Sequence, residues 1–240
     1  MRNLIGIAAL ATIAVLIGAP ASAADMALKA APASAASPGL WTGLYAGVDA
    51  GYSSNKVGIF DPAAPIAGTA TATAPTGTLG GHLGYLYQLY KPIAVGVEGD
   101  VSWLDGNGSG PFPGAPVNGI LVTNKWDSSI RGVAGVAVDR ALLYGTGGWS
   151  WSGGSMCGVA PFPAPLTCFP GSSGPGTVGG WIAGGGVAYA FTSNLIGRVE
   201  YLHADYGPFR YNGVWTGGFV NVTDTTDTVR VGVSWKFRVP

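Results

Sequence analysis

The stretch Thr228-Val229-Arg230-Val231-Gly232-Val233-Ser234-Trp235-Lys236-Phe237 alternates without a break. Val229, Val231, Val233, Trp235 and Phe237 fall on one face, and Thr228, Arg230, Gly232, Ser234 and Lys236 on the other. A period of two with one apolar face is the signature of a β-strand whose two sides meet different surroundings. The same pattern recurs upstream. Ile93, Val95, Val97, Val101 and Trp103 alternate with Gly96, Glu98, Asp100 and Ser102. Leu79, Leu83, Tyr85, Tyr87 and Leu89 alternate with Thr78, Gly80, His82, Gly84 and Gln88, and Leu44, Ala46, Val48, Ala50 and Tyr52 with Tyr45, Gly47, Asp49 and Gly51. The pattern is weakest over 178–191, where Gly184-Gly185-Gly186 interrupts it.

Extended along the chain, the alternation predicts eight strands, at 41–53, 76–89, 93–104, 124–138, 141–151, 178–191, 195–206 and 225–237. The connections 54–75, 105–123, 152–177 and 207–224 are long and rich in Gly, Pro, Ser, Thr and Asn. Those at Tyr90-Lys91-Pro92, Asp139-Arg140 and Thr192-Ser193-Asn194 are tight. Long and short connections alternate strictly, so all the long ones lie on one side and both termini on the other.

Periodicity alone does not say which face is inside, since a soluble barrel would turn its apolar face inward. Three observations decide for a membrane. The polar faces carry charges near mid-strand: Glu98, Asp100, Arg131, Arg198, Glu200 and Arg230. Aromatic residues gather in two belts. Tyr52, Trp103, Trp126, Trp149, Trp151, Trp181 and Tyr206 lie near the long connections, and Tyr87, Tyr90, Tyr189, Phe191, Trp235 and Phe237 near the short ones. No amphipathic helix is present to cover an exposed apolar sheet. A closed barrel leaves no unpaired edge for lipid to penalise. The expectation is an all-β fold, an eight-stranded antiparallel up-and-down transmembrane β-barrel, with long loops outside and short turns and termini in the periplasm of an outer membrane.

The N-terminus agrees with export. Arg2, the apolar run Leu4 to Gly18 and the small residues Ala21-Ser22-Ala23 read as a secretory signal peptide over 1–23. Residues 24–40 are Ala/Pro/Ser-rich without periodicity and read as a disordered periplasmic leader, leaving 41–240 for the barrel. Apolar residues make up 48% of the chain, yet past residue 23 no run of about eighteen survives to form a spanning helix. Only 10% of residues are charged and the net charge is zero, which argues against a nucleic-acid or acidic-substrate partner. No phosphate-binding glycine motif precedes a helix and no zinc spacing occurs, so no cofactor is expected.

At these residues the chain resembles the small outer-membrane β-barrel proteins of alphaproteobacteria, loosely called porin-family surface proteins. The resemblance is carried by Trp41-Thr42-Gly43-Leu44-Tyr45-Ala46-Gly47, Gly96-Val97-Glu98-Gly99-Asp100, Leu142-Leu143-Tyr144-Gly145-Thr146-Gly147-Gly148, Val199-Glu200-Tyr201-Leu202 and Thr228 to Val233, and it runs from Trp41 to Phe237. It implies an OmpA-like barrel in contact with outer-membrane lipids and lipopolysaccharide, delivered by periplasmic chaperones and the outer-membrane assembly machinery. Family members often end on an aromatic residue that this machinery reads. Here Trp235 and Phe237 would serve, although Arg238-Val239-Pro240 follow. Ala188 stands where members often carry an inward glutamate, and the pair Cys157 and Cys168 is not a general family feature.

The candidate functional residues are the inward charges Asp49, Glu98, Asp100, Asp127 and Glu200 against Arg131, Arg198, Arg230 and Lys236. Two readings compete. One is a charged constriction that selects ions. The other is a salt-bridge network that fills a lumen only just wide enough for side chains, where charges must be paired. His82 faces the lumen, and His203 stands near Asp205, which would suit a His–Asp pair, but no nucleophile motif accompanies either. Cys157 and Cys168, in a Pro/Gly-rich connection of an exported protein, read as a loop disulfide. The long connections carry Phe112, Phe162, Phe169 and Trp215 and either cap the barrel or meet an extracellular ligand. The functions in play are a structural envelope barrel, a narrow passive channel and a surface adhesin.

Overall fold

A computed structural model describes residues 39–60, 70–90, 92–112, 115–159, 167–168, 176–213 and 218–237. Those residues form eight strands: β1 (Gly43–Phe60), β2 (Ala70–Tyr90), β3 (Ile93–Phe112), β4 (Ala115–Val138), β5 (Ala141–Val159), β6 (Thr177–Ala190), β7 (Leu195–Gly213) and β8 (Gly218–Lys236). Each pairs antiparallel with the next, and β1 pairs with β8 to close the barrel. No helix among the described residues is long and apolar enough to cross a membrane, which says nothing of crossing by strands. The expected signal peptide, most of the leader, the tail after Phe237, and Phe162, Phe169 and Trp215 lie outside the described residues.

All the expected strands are present, but most run further toward the long connections than alternation predicts. β1 continues from 53 to Phe60, β3 from 104 to Phe112 and β7 from 206 to Gly213, while β4 begins at Ala115 and β8 at Gly218. The ladder explains the extension. Ser54 to Ile59 of β1 pair with Pro75 to Ala70 of β2 and with Asp227 to Val222 of β8, so their backbone groups are satisfied by neighbours whatever the side chains. Two prolines that obscured the pattern sit at irregularities: Pro208 follows the register shift after Asp205, and Pro111 adjoins the shift at Phe112. Gly207, at the first of these, has φ +70° and donates its N–H to Asp205 Oδ1 at 2.7 Å. A side chain would strain that backbone.

The faces sort as the alternation requires. Leu44, Val48, Leu83, Val97, Ile130, Val199 and Val231 are exposed on the outer wall. The belts are exposed at Tyr52, Trp103, Trp149, Trp151 and Trp181 toward one end, and at Tyr87, Tyr90, Tyr189, Phe191, Trp235 and Phe237 toward the other. Tyr206 departs from expectation. It is buried in the lumen, its Oη 3.3 Å from Ser150 Oγ, because its position in β7 has the parity of inward Arg198 and Glu200. Trp126 is half-buried, its ring so close to Gly153 that a Cβ there would come within 2.2 Å of it.

The lumen is filled in layers. At the short-turn end Trp41, Leu86, Val133, Leu142, Ala188 and Ile196 pack together. Trp41 does not begin the first strand, as the pattern suggested. It lies in a turn closed by Thr42 N–H donating to Gly39 O at 3.0 Å, and its indole is 1% exposed inside the barrel mouth. Above it lies the charged layer, then Ser53, Asn55, Thr78, Ser102, Ser150 and Thr226, then an apolar collar of Val57, Ile59, Ala72, Ile120, Val122 and Val222.

Candidate functional site: the charged lumen

Inward positions of five strands meet in the charged layer. Asp49 comes from β1, Glu98 and Asp100 from β3, Arg131 from β4, Arg198 and Glu200 from β7, and Arg230 from β8. All of these side chains are less than a tenth exposed, that of Asp100 at 6%. Inward glycines give them room: a Cβ at Gly232 would stand 2.2 Å from Asp49 Oδ1, and one at Gly47 2.6 Å from the His82 ring.

The pairing runs across the lumen as well as along the wall. Arg131 donates to Glu98 Oε1 at 2.6 Å and Asp100 Oδ1 at 2.7 Å on the adjacent strand, and to Glu200 Oε1 at 3.0 Å on β7. Arg198 donates to Glu98 and, through Nε and Nη2, to Asp49 Oδ1 at 3.1 and 3.0 Å. Arg230 donates to Glu200 Oε2 at 2.8 Å and stands 3.4 Å from Asp100 and 3.8 Å from Glu98. Hydroxyls fill remaining acceptor sites: Tyr45 Oη donates to Glu98 at 2.8 Å, Tyr144 Oη to Glu200 at 3.3 Å and Ser129 Oγ to Asp100 at 2.7 Å. Each carboxylate thus has at least one guanidinium partner, which makes burial of the charges tolerable.

Two of the expected members lie elsewhere. Asp127 has no ion-pair partner among the described residues. Its cross-strand neighbours are Ser102 and Ser152, one level above the arginines. Lys236 lies at the short-turn end, where its Nζ donates to the carbonyl of Leu40. Alternation placed both side chains inward but could not fix their height along the lumen. The buried partners Tyr45, Tyr144 and Ser129 were not singled out from the sequence. Their signal was the shared inward parity.

His82 is also part of the layer. Its Nδ1 is 2.6 Å from Asp49 Oδ2 and its Nε2 2.7 Å from Ser234 Oγ. These are the spacings of a Ser–His–acid relay, but the surroundings do not suit acyl transfer. Ser234 is 2% exposed and borders a void of ≈ 30 Å³, room for a few waters and far below a substrate pocket. The contacts satisfy the imidazole on both sides. The folded barrel is expected to resist labelling by a fluorophosphonate serine probe, and labelling lost in Ser234→Ala would overturn this.

The other histidine pairs differently from expectation. His203 Nδ1 is 2.8 Å from Asp227 Oδ1, which also accepts from Tyr201 Oη at 2.6 Å, while Asp205 accepts from Gly207. Residues 203 and 227 face each other directly across β7 and β8. Cys157, near the end of β5, is bonded to Cys168, with 5.6 Å between the Cα atoms. Asp224 lies beyond the aromatic belt, five residue pairs past Tyr52 and Val229 in the β1–β8 ladder. Burial pushes its carboxyl up to about 7; the Asn55 hydrogen bond opposes this, and the charges of Asp127 and Asp205 add to it.

Known proteins share this architecture. The model of the outer membrane protein beta-barrel domain family matches residues 11–237. The chain is 30% identical over 206 residues to the 31 kDa outer-membrane immunogenic protein of Brucella melitensis biotype 1, covering 82% of this chain and 84% of that one. It is 28% identical over 203 residues to the 22 kDa outer membrane protein of Rhizobium leguminosarum bv. viciae, covering 83% and 79%. Among solved structures, the outer membrane protein OprG of Pseudomonas aeruginosa superposes with a TM-score of 0.52 at 14% identity, covering 82% of this chain and 97% of that one, a likeness of fold. A closed barrel with an apolar outer wall, two aromatic belts and these relatives leads to one assignment: the chain belongs to the outer membrane protein beta-barrel domain family.

Proposed function

We propose that this protein is a structural component of the outer membrane, a barrel closed to solutes that braces the envelope and displays its long connections at the cell surface. The observation that carries this reading is the set of ion pairs spanning the lumen, above all Arg131 on β4 to Glu200 on β7 and Arg198 on β7 to Glu98 on β3. Side chains that meet across the axis and hold one another by charge-assisted bonds resist parting for a solute. The apolar layer around Trp41 supports the same reading from the short-turn side.

The alternation of long and short connections supports long loops outside and both termini in the periplasm. In this reading the exposed outer wall and its belts contact outer-membrane lipid and lipopolysaccharide, and Trp235 and Phe237 carry the assembly signal for periplasmic chaperones and the assembly machinery. A second reading, a surface ligand bound by the loops, is favoured by one feature: the Cys157–Cys168 bond fixes the shape of the connection after β5. The immunogenic label in the names of relatives is consistent with loops that face outward.

Osmotic swelling of proteoliposomes tests the main reading. Vesicles carrying the folded, heat-modifiable protein are expected to swell in small sugars or amino acids no faster than empty vesicles. Swelling that scales with protein content would favour a narrow passive channel instead.

A further inference from the structure

Above the charged layer the lumen holds acceptors without cations. Asp127 and Asp224 are both inward, and no Arg or Lys lies within ion-pair distance of either among the described residues. Asp127 Oδ1 is buried with no hydrogen-bond partner; its carboxylate is bonded by Ser152. Asn55, 1% exposed, donates through Nδ2 to Asp224 Oδ1 at 2.6 Å and to Thr226 Oγ1 at 3.0 Å, which leaves its carbonyl Oδ1 buried and unpartnered. Two separate voids open beside the two carboxylates. One of ≈ 40 Å³ is bordered by Asp224, Asn124 and Ser152, and one of ≈ 30 Å³ by Asp127 and Tyr206. Arg230 borders the second void from the charged layer below.

This contrasts with the layer beneath, where every carboxylate is matched by a guanidinium. Carboxylates buried without a paired cation need a positive charge or protons. Among the described residues no three His, Cys, Asp or Glu side chains are placed to hold a metal ion, and carboxylate and hydroxyl oxygens without His or Cys do not suit zinc or another transition metal. Carboxylate, amide and hydroxyl oxygens suit a hard cation, whose remaining coordination is filled by water. Each void has room for a few water-sized occupants.

We propose that this layer binds a hard cation, held largely through its hydration water in the voids beside Asp127 and Asp224. The ion does for these carboxylates what the guanidiniums do one level below. The collar residues Val57 and Val122 border the void beside Asp224, and the ion is supplied during refolding so that it can enter before they pack.

The test uses Ca²⁺ as the probe on the full chain, refolded in neutral detergent with either EDTA or CaCl₂ at matched ionic strength. The wild type is expected to retain radioactive Ca²⁺ through gel filtration. Its melting midpoint should rise saturably, by about 5–11 °C with Ca²⁺ a hundredfold above its Kd. Asp127→Asn and Asp224→Asn keep shape and hydrogen bonding, and each should weaken Ca²⁺ binding at least tenfold while the barrel still folds. No retained Ca²⁺ in the wild type would overturn the proposal. So would a midpoint shift preserved in the double variant, which would place the ion elsewhere. A barrel that ignores Ca²⁺ but gains stability as pH falls below about 7, as a carboxyl raised above its unfolded value dictates, would show that protons alone occupy the site.

Discussion

Arg131→Met is expected to lower the unfolding free energy of the refolded barrel by about 3–5 kcal/mol, the cost of breaking a buried ion pair from one side. Arg131 is 1% exposed and bonds Glu98, Asp100 and Glu200 at once. Its loss leaves the four carboxylates of Asp49, Glu98, Asp100 and Glu200 against the two guanidiniums of Arg198 and Arg230, all buried in the lumen. Asp100 is hit hardest, since its other guanidinium contact is the longer one to Arg230, at 3.4 Å. Replacing Arg131 and Glu98 together with apolar residues of similar size should cost less than the single change, because one charge of each sign leaves together. Urea unfolding followed by tryptophan fluorescence reads both. A single variant within about 1 kcal/mol of wild type would mean that the network behaves like solvated surface pairs.

Trp41→Ala should cost a similar amount, about 3–5 kcal/mol, for a different reason. The indole fills the short-turn mouth against Tyr45, Leu86, Val133, Leu142 and Ile196, and alanine would leave a cavity there that the rigid wall cannot close. Trp41→Phe keeps most of the contact area, and should recover more than half of the loss. Because the arginine layer lies beyond the plug, neither variant is expected to make the barrel conduct. Ions passing freely through Trp41→Ala alone would show that the tryptophan, and not the network, is the seal.

The fold was legible because a strand exposed to lipid on one side and to a packed lumen on the other must alternate, and β8 does so over its whole inner half. The network was legible for the same reason: parity puts Glu98, Arg131, Arg198, Glu200 and Arg230 on the polar face, and the aromatic belts turn that face inward. Height along the axis was not legible. It depends on strand tilt and on bulges, such as the shift between Asn124 and Trp126 that lies just before Asp127. Contacts across the lumen join strands that are not neighbours, so no local pattern records that Arg131 reaches Glu200 and Asp127 reaches no arginine. Tyr206 was misplaced because residue type was followed where parity pointed inward. His203 was set beside Asp205 by closeness in sequence, whereas its true neighbour Asp227 lies directly across the ladder. The outer reaches of the strands were hidden by Pro and Gly, whose weak strand preference is overridden once two flanking strands already offer hydrogen bonds.

The central claim is that side chains close the lumen, and conductance across a planar bilayer tests it most directly. The refolded wild type, shown to be folded by its heat-shifted gel mobility, is expected to give no stable current steps. An Arg131→Ala, Glu98→Ala double variant that still folds should begin to show them. Reproducible steps from the wild type, altered in the double variant, would contradict the account and place an open constriction among these same charges.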